Sequence, residues 1–279
     1  MKKQIMVSMV LAAVCCALAE SSPLEARIAE KHKILTSDTW GAGHRIIFDF
    51  NGRKGWVIEP ATPAPGRPWV WTMQWMGAFL ERTGAPDLVK RGYYHVHLAA
   101  YDTRANREGL LALADFQDYL VRELGFAPKA NLIGMSWGGF YSVRYACAYP
   151  QNVARIYLDA PLLNFDGYCP PSPADPKALA RLVGPWAKHA PADGQGWTPD
   201  PEMPVNLAAS LARTGIPVLL LYGGKDKTVN PEMSSVLFMK RFREAGGDLK
   251  VECRPEQGHH PHGLAPKDVH RILEFFQAE

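Results

Sequence analysis

The chain alternates between short apolar runs and longer stretches with helical spacing, and this alternation constrains the fold more than any other feature. Residues 107–124 carry apolar side chains three or four positions apart, the spacing of a helix with one buried face. Residues 130–134 and 153–158 are short apolar runs, as in buried strands. Such alternation is typical of βα units around a mostly parallel sheet with helices on both faces, so we predict one α/β domain. The other predicted strands are 69–73, 93–99, 217–222 and 249–253, and the other predicted helices are 76–80, 86–91, 138–149, 231–245 and 266–276.

The first strands are expected to be antiparallel. Asn51 and Gly52 separate two runs with strand character, 44–50 and 54–59. An Asn-Gly pair between two such runs is a strong signal of a β-hairpin, because both residues tolerate the positive φ of its turn. The sheet is therefore predicted to begin with an antiparallel hairpin.

The amino terminus has the pattern of a secretory signal peptide. Lys2 and Lys3 precede an apolar run at 5–18, and small residues occupy the cleavage positions before Glu20. The alternative is a membrane anchor, but the run is shorter than the roughly 20 residues that span a bilayer. We therefore expect cleavage after residue 19, a mature domain at 20–279 in the periplasm or medium, and no stable membrane insertion.

The charge balance points to no polyanionic partner. The formal net charge of +3 falls by two when the signal peptide leaves, because that segment contains Lys2 and Lys3 and no acidic residue. A nearly neutral chain has no basic surface of the kind that binds nucleic acid. We expect no nucleic acid as a partner.

The cysteines do not form a disulfide framework. Cys15 and Cys16 leave with the signal peptide, so three of the five cysteines remain. A bridge between Cys169 and Cys253 is possible in an oxidising compartment. Cys147 lies in an apolar helical stretch and is expected to be a buried thiol.

The alternation of strands and helices is interrupted at 164–215. This stretch is rich in Pro, Gly, Ala and Trp, and it stands where a single helix would join two strands. Long insertions in compact domains are commonly functional. We predict that this stretch forms a cap, or lid, over a functional site, and that it is ordered because its prolines restrict the chain. The alternative is a surface excursion that does not contact the substrate.

The stretch 134–139 reads Gly-Met-Ser-Trp-Gly-Gly, between a predicted strand and a predicted helix. It matches Gly-x-Ser-x-Gly, in which a sharp strand-to-helix turn exposes the serine hydroxyl above the sheet. Glycines on either side permit the close backbone approach, and the helix amino end favours developing negative charge. In this context the motif predicts the α/β-hydrolase fold with Ser136 as the nucleophile.

The serine needs a general base, and the base needs an acid that orients it. In this fold the three residues follow in the order Ser, Asp or Glu, His. Asp226 comes just after the strand 217–222 and is the favoured acid. Asp159 also ends a strand, and it remains the alternative, with a loop-bracing role as its other interpretation.

Three histidines stand close together near the carboxyl end of the chain. His259, the first of them, is the predicted base, and His260 and His262 are expected to brace the loop or to face the substrate. Histidines this close also occur in metal sites. Pro261 interrupts the group, and no cysteine or acidic residue stands at a ligand spacing, so we predict no metal and no cofactor.

The oxyanion hole of this fold uses two backbone N–H groups. One belongs to the residue after the nucleophile, here Trp137, and the other to the loop after the strand 69–73. The lipase motif His-Gly-Gly-Gly is absent from that loop. We choose Met73 as the second donor.

At this point the chain resembles a bacterial family of α/β hydrolases whose members occur as exported proteins of unassigned or carbohydrate-linked esterase function. The resemblance extends over nearly the full mature length, and related sequences often carry Arg at the position of Trp137. The motifs that carry it are Arg-Pro-Trp-Val-Trp at 67–71, Gly-Ala-Phe at 77–79, Gly-Met-Ser with Gly-Gly at 134–139, Asp-Ala-Pro at 159–161, Gly-Gly-Lys-Asp at 223–226 and Gly-His-His-Pro-His at 258–262.

Aromatic residues cluster near these motifs. Trp137, beside the nucleophile, and Trp75, in the oxyanion loop, are candidates for contact with a sugar or aryl group, together with His260. Core packing is the alternative for each tryptophan, because large aromatic side chains mostly bury.

These observations favour a serine hydrolase that cleaves carboxylic esters. The expected substrate is a small-molecule ester or, as the resemblance implies, a carbohydrate ester. A serine peptidase of the prolyl-oligopeptidase type shares the same three residues, but no separate domain that would select peptides is evident. A non-catalytic binding protein on this fold is a third possibility, and the complete Ser, Asp and His set argues against it.

Overall fold

The computed structural model describes residues 22–168, 176–191 and 196–278. The predicted signal peptide at 1–19 lies outside these residues. Cys169 also lies outside them, so its pairing with Cys253 stays a prediction. Cys147 is a free thiol in a half-buried position.

The described residues form one nine-stranded sheet in the order β1-β2-β3-β5-β4-β6-β7-β8-β9. Strands from β4 onward pair in parallel, apart from the antiparallel contact of β3 with β5. The strands are β1 Ile34–Trp40, β2 Gly43–Phe50, β3 Arg53–Pro60, β4 Trp69–Thr72, β5 Tyr94–Leu98, β6 Ala130–Met135, β7 Val153–Asp159, β8 Val218–Gly223 and β9 Leu249–Arg254.

The antiparallel start of the sheet is confirmed. Strands β2 and β3 pair from Phe50 with Arg53 outward, so Asn51 and Gly52 form the two-residue turn, both with positive φ. The sequence reading missed β1, which pairs with β2 at the sheet edge. All seven side chains of β1 are exposed or partly exposed, so the strand lacks the apolar alternation that marks a strand with one buried face.

Helices occupy the predicted helical segments except 76–80, where the chain forms a turn and the helix begins only at residue 80. None of the helices in the described part of the chain is long and apolar enough to cross a membrane. They are α1 Pro23–Ala29, α2 Leu80–Thr83, α3 Ala85–Lys90, α4 Arg107–Arg122, α5 Trp137–Ala148, α6 Pro176–Val183, α7 Pro204–Arg213, α8 Leu237–Glu244 and α9 His270–Gln277. A short π-helical turn, Glu232–Val236, leads into α8.

Both faces of the sheet are covered by helices, as predicted. Alternate side chains of β4, β6, β7 and β8 enter different apolar clusters, as the pleat of a strand requires. Trp71 and Leu132 pack with residues of α4, α5, α7 and α8. Val70 and Ile133 pack on the opposite face, with residues of α3 and α9.

The predicted insertion at 164–215 divides into two parts. Its last helix, α7, packs against α5 and α8 and buries Val205, Ala208 and Leu211 in the main core. This is the helix that joins β7 to β8, so we limit the proposed cap to 164–203. Within the described part of that stretch, Phe165, Trp186 and Trp197 are buried, and both tryptophans pack against Phe165.

The parallel strands direct their carboxyl ends to one edge of the sheet. The loops after β4, β5, β6, β8 and β9 therefore meet there, and an open α/β sheet binds its ligands at that edge.

Candidate active site

Ser136 lies on a sharp turn between β6 and α5. Its φ of 49° and ψ of −118° fall in a backbone region that residues other than glycine rarely adopt. The backbone N–H of Ser136 donates to the carbonyl oxygen of Asp159 at 3.0 Å, and the N–H of Leu162 donates to the carbonyl of Ser136 at 2.9 Å. These bonds to the segment after β7 hold the strained turn in place.

Two glycines make room for this turn. A Cβ added to Gly134 would lie 2.6 Å from Oγ of Ser142, and one added to Gly139 would lie 2.4 Å from Cβ of Pro161. Neither distance occurs for a real Cβ without a shift of the neighbours. The glycine pattern of the motif therefore has a steric cause here.

The structure brings Ser136, His259 and Asp226 together. Oγ of Ser136 lies 3.0 Å from Nε2 of His259, and Nδ1 of His259 lies 2.7 Å from Oδ2 of Asp226. His259 and Asp226 are buried, whereas Ser136 is partly exposed. These distances are the hydrogen-bond separations required of a nucleophile, its base and an orienting acid.

Asp226 is held as a carboxylate. Burial works to raise its pKa, but hydrogen bonds from His259 and from the backbone N–H groups of Val229 and Thr228 outweigh burial, so the pKa stays below its usual value. A negative Asp226 fixes the proton of His259 on Nδ1, which leaves Nε2 free to accept the serine proton.

Asp159 occupies a separate, fully buried network. It accepts hydrogen bonds from Nδ1 of His262 at 2.9 Å, from Nη2 of Arg254 at 3.0 Å, and from the hydroxyl of Tyr157 and the backbone N–H of Gly263. Burial works to raise the pKa of Asp159, but His262 and Arg254 outweigh it and keep the pKa low. The side chain of Asp159 therefore braces the loop that carries His259.

The three histidines have different surroundings. His260 is exposed and stacks on Phe79, with ring centres 5.6 Å apart, whereas His262 is buried. Burial and the two neighbouring histidines lower the pKa of His260. One ring nitrogen from each histidine lies within 4.8 Å of the others. Hydrogen bonds already occupy both nitrogens of His259 and Nδ1 of His262.

The choice of Met73 as an oxyanion donor is wrong. Its N–H donates to the carbonyl of Ile133 at 3.0 Å, so the sheet pairing extends one residue beyond β4 and uses that group. The next N–H, that of Gln74, has no acceptor among the described residues. It lies 3.3 Å from the position that a Cβ on Gly138 would take, beside the first turn of α5. Trp137 opens that helix, where N–H groups lack intrahelical acceptors.

An aromatic wall adjoins the serine. The ring of Trp137 is buried and lies 6.0 Å from Tyr101 and 5.9 Å from Tyr168, measured between ring centres. Trp75 is 40% exposed, and its ring centre lies 4.9 Å from that of Tyr101. Tyr101 was missed by the sequence reading, because its loop after β5 carries no motif.

Comparisons with known proteins agree with this architecture. A family model for the α/β hydrolase fold matches residues 85–204. The acylaminoacyl peptidase of Pyrococcus horikoshii is similar in structure, with a TM-score of 0.61 and 14% identity over 88% of this chain and 49% of that chain. The dipeptidyl peptidase 4 of Porphyromonas gingivalis has a TM-score of 0.61 and 12% identity, over 86% and 36%. The S-formylglutathione hydrolase of Agrobacterium tumefaciens has a TM-score of 0.57 and 15% identity, over 88% and 95%.

The chain spans half or less of the length of the two peptidases. A search among curated proteins found no match. At identities this low the likeness concerns the fold and not the activity. The sheet order and the serine on its strand-to-helix turn define an α/β domain of the hydrolase type. The chain has the α/β-hydrolase fold.

Proposed function

We propose that the protein is a serine hydrolase that cleaves carboxylic esters. The observation that carries the proposal is the chain of hydrogen bonds from Ser136 through His259 to Asp226, at 3.0 and 2.7 Å. The strained turn that presents Ser136, and the free N–H groups beside it, support the same role.

In the proposed mechanism Oγ of Ser136 attacks the ester carbonyl while Nε2 of His259 takes the hydroxyl proton. The oxyanion receives hydrogen bonds from the N–H groups of Trp137 and Gln74. When the C–O bond breaks, His259 returns the proton to the leaving alcohol, and an acyl-enzyme remains on Ser136. Water then gives a proton to His259 and attacks the acyl carbon. The acid leaves as the proton returns to Ser136.

A serine peptidase is the alternative, because the same groups would cleave an amide. Rates on matched aryl esters and aminoacyl aryl amides separate the two functions. We expect kcat/KM on esters to exceed that on amides by more than the intrinsic difference in reactivity, with a burst of released alcohol as the acyl-enzyme accumulates. Efficient amide cleavage with weak ester cleavage would favour the peptidase.

Export is proposed on the sequence alone. The charged start, the apolar run at 5–18 and the small residues before Glu20 support it. The amino-terminal sequence of protein recovered outside the cytoplasm is expected to begin at Glu20. Recovery of the uncleaved chain in the membrane fraction would indicate an anchor.

The aromatic wall supports a ring-bearing substrate, of which a carbohydrate ester is one kind.

A further inference from the structure

We propose that Arg104 and the aromatic rings around it form a subsite for a carboxylate group on the substrate, next to Ser136. This inference rests on the proposed hydrolase function and narrows its substrate class. The substrates would be esters that carry a ring and a carboxylate on their acyl or alcohol part.

Arg104 lies in the loop after β5, at the edge of the sheet where the functional loops meet. Its guanidinium carbon lies 3.5 Å from the ring centre of Tyr101 and 5.3 Å from that of Trp137. Trp137 directly follows Ser136 in the chain. The cation is therefore one aromatic ring away from the nucleophilic turn.

The charge of Arg104 is uncompensated within the described residues. No described carboxylate lies within 4.0 Å of its guanidinium. Nη1 donates to the carbonyl of Tyr101, and Nε is buried without a hydrogen-bond partner. A guanidinium offers five donors in a planar fork that matches a carboxylate, so the remaining donors suit such a group.

A second unused donor belongs to the same cluster. Trp137 is 2% exposed, and its indole Nε1 has no hydrogen-bond partner in the described structure. A buried donor without an acceptor costs free energy, and most native structures avoid it. Two unpaired donors beside one aromatic wall favour an acceptor group that arrives with the substrate.

The backbone around Arg104 is built to hold this side chain. Arg104 and Ala105 both have left-handed conformations, with φ of 46° and 53°. The carbonyl of Arg104 accepts from Nε1 of Trp186 at 2.9 Å, and that of Ala105 accepts from Nε of Arg144 at 2.8 Å. Strained backbone that its surroundings hold in place is concentrated at functional sites. The cap residue Trp186 and helix α5 thus fix the Arg104 turn.

Matched substrates test the subsite. For the alcohol side, the pair is para-acetoxybenzoate and its neutral amide, para-acetoxybenzamide. For the acyl side, the pair is phenyl para-carboxybenzoate and phenyl para-carbamoylbenzoate. In at least one pair we expect the carboxylate to be preferred about tenfold or more in kcat/KM, as befits a charge-assisted hydrogen bond. The pair that shows the preference identifies the side on which the carboxylate binds.

Variants assign the preference to Arg104. Arg104→Gln is expected to bring the ratio close to one, and Arg104→Lys to retain part of it, because lysine keeps the charge without the planar fork. Arg107→Gln is the matched control, since it removes an equal charge from an exposed position three residues away and should keep the ratio. Thermal unfolding verifies that each variant is folded.

Binding to the Ser136→Ala protein separates this inference from the proposed function. Calorimetry should show that Ser136→Ala binds para-acetoxybenzoate or phenyl para-carboxybenzoate more tightly than its amide, and that adding Arg104→Gln removes the difference. If this selective binding is found but the wild-type protein hydrolyses none of the esters, the proposed esterase function is refuted and the carboxylate subsite is supported. No carboxylate preference in either pair, or a preference that survives Arg104→Gln, would overturn the subsite.

Discussion

The two buried aspartates near the site differ in what each one touches. Asp226 contacts His259, whereas Asp159 contacts His262 and Arg254. Both aspartates end or follow a strand, so their positions in the sequence are nearly equivalent. Three-dimensional contacts that a single sequence does not reveal decide which one orients the base.

Asp226→Asn and Asp159→Asn are predicted to have different effects. Asp226→Asn should lower kcat by about a thousandfold or more, because His259 loses the partner that fixes its tautomer, with a small change in stability. Asp159→Asn leaves Arg254 without its buried counterion and should lower the free energy of unfolding by about 3 kcal/mol. Steady-state kinetics and urea unfolding of both variants measure this. A larger loss of kcat in Asp159→Asn would exchange the two roles.

The second oxyanion donor could not be predicted from the sequence, as the choice of Met73 shows. The motif selected Ser136, because Gly-x-Ser-x-Gly fixes the local geometry of its turn, and the chain order of the fold selected Asp226 and His259. The three side chains lie within hydrogen-bond distance of one another in sequence from Ser136 through His259 to Asp226. Which N–H remains free after β4 depends on how far its pairing with β6 extends. That register is a non-local property, and a one-residue difference moved the proposed donor to Gln74.

Among the secondary-structure elements, the buried parallel strands were predictable, whereas the exposed edge strand β1 was not. Strands β6, β7 and β8 match their predicted positions within a residue or two, since burial on both faces requires continuous apolar runs. Strand β1 was not predicted, because its side chains are exposed or partly exposed and show no apolar pattern. The predicted insertion was too long at its end, because α7 has the composition of the cap and the packing of a core helix.

One carboxylate joins the first and last described segments of the proposed cap, 164–168 and 196–203. Asp166 accepts hydrogen bonds from the backbone N–H groups of Trp197 and Thr198, each at 2.7 Å. Asn164 adds a bond of 2.8 Å to the hydroxyl of Thr198. Phe165 packs between Phe140 and Trp197, so this junction also positions the wall next to Trp137.

Asp166→Ala is predicted to loosen the cap and to change substrate selection. Loss of the carboxylate leaves two backbone donors unpaired, at about 1–3 kcal/mol each if they stay buried. Amide exchange at Trp197 and Thr198 should accelerate, and the ranking of esters by kcat/KM should change. Asp115→Ala, an exposed change on α4, is the control. An unchanged ranking together with faster exchange would show that the cap does not contact the substrate.

At the scale of the whole molecule, buried histidines make stability depend on pH. His95 is fully buried, and His97 is nearly so. Nε2 of His95 lies 2.8 Å from Oγ1 of Thr72, and Nδ1 of His97 lies 2.7 Å from the carbonyl oxygen of Thr72. Burial lowers the pKa of His95 to about 3 and that of His97 to about 4. Both side chains therefore stay neutral in the folded protein while the unfolded chain binds protons below its ordinary histidine pKa.

Acid is predicted to destabilise the fold through these two side chains. Because the folded pKa is depressed, the stabilisation is complete above the unfolded pKa of about 6.5 and falls as the pH drops towards the folded values, by up to about 1.4 kcal/mol per pH unit for each histidine. The lowered pKa values of Asp159 and Asp226 act in the same direction at lower pH.

His97→Gln should flatten this pH dependence between about pH 6 and pH 5, by up to about 1.4 kcal/mol per unit. Urea unfolding at a series of pH values measures the slope. His189→Gln, at an exposed position, is the control and should keep the wild-type slope. A slope in His97→Gln equal to that of the wild type would mean that His97 binds protons equally in the folded and unfolded chains, and would contradict its lowered pKa.

Covalent labelling of the nucleophile tests the assignment of Ser136 most directly. A fluorophosphonate reacts with a serine only when a base activates it, and intact-mass measurement counts the adducts. The wild-type protein and Ser210→Ala, an exposed serine change on α7, are expected to gain one adduct each. Ser136→Ala should gain none and should hydrolyse no ester, while its unfolding temperature stays close to that of the wild type. An adduct on the folded Ser136→Ala protein would contradict the assignment of Ser136 as the nucleophile.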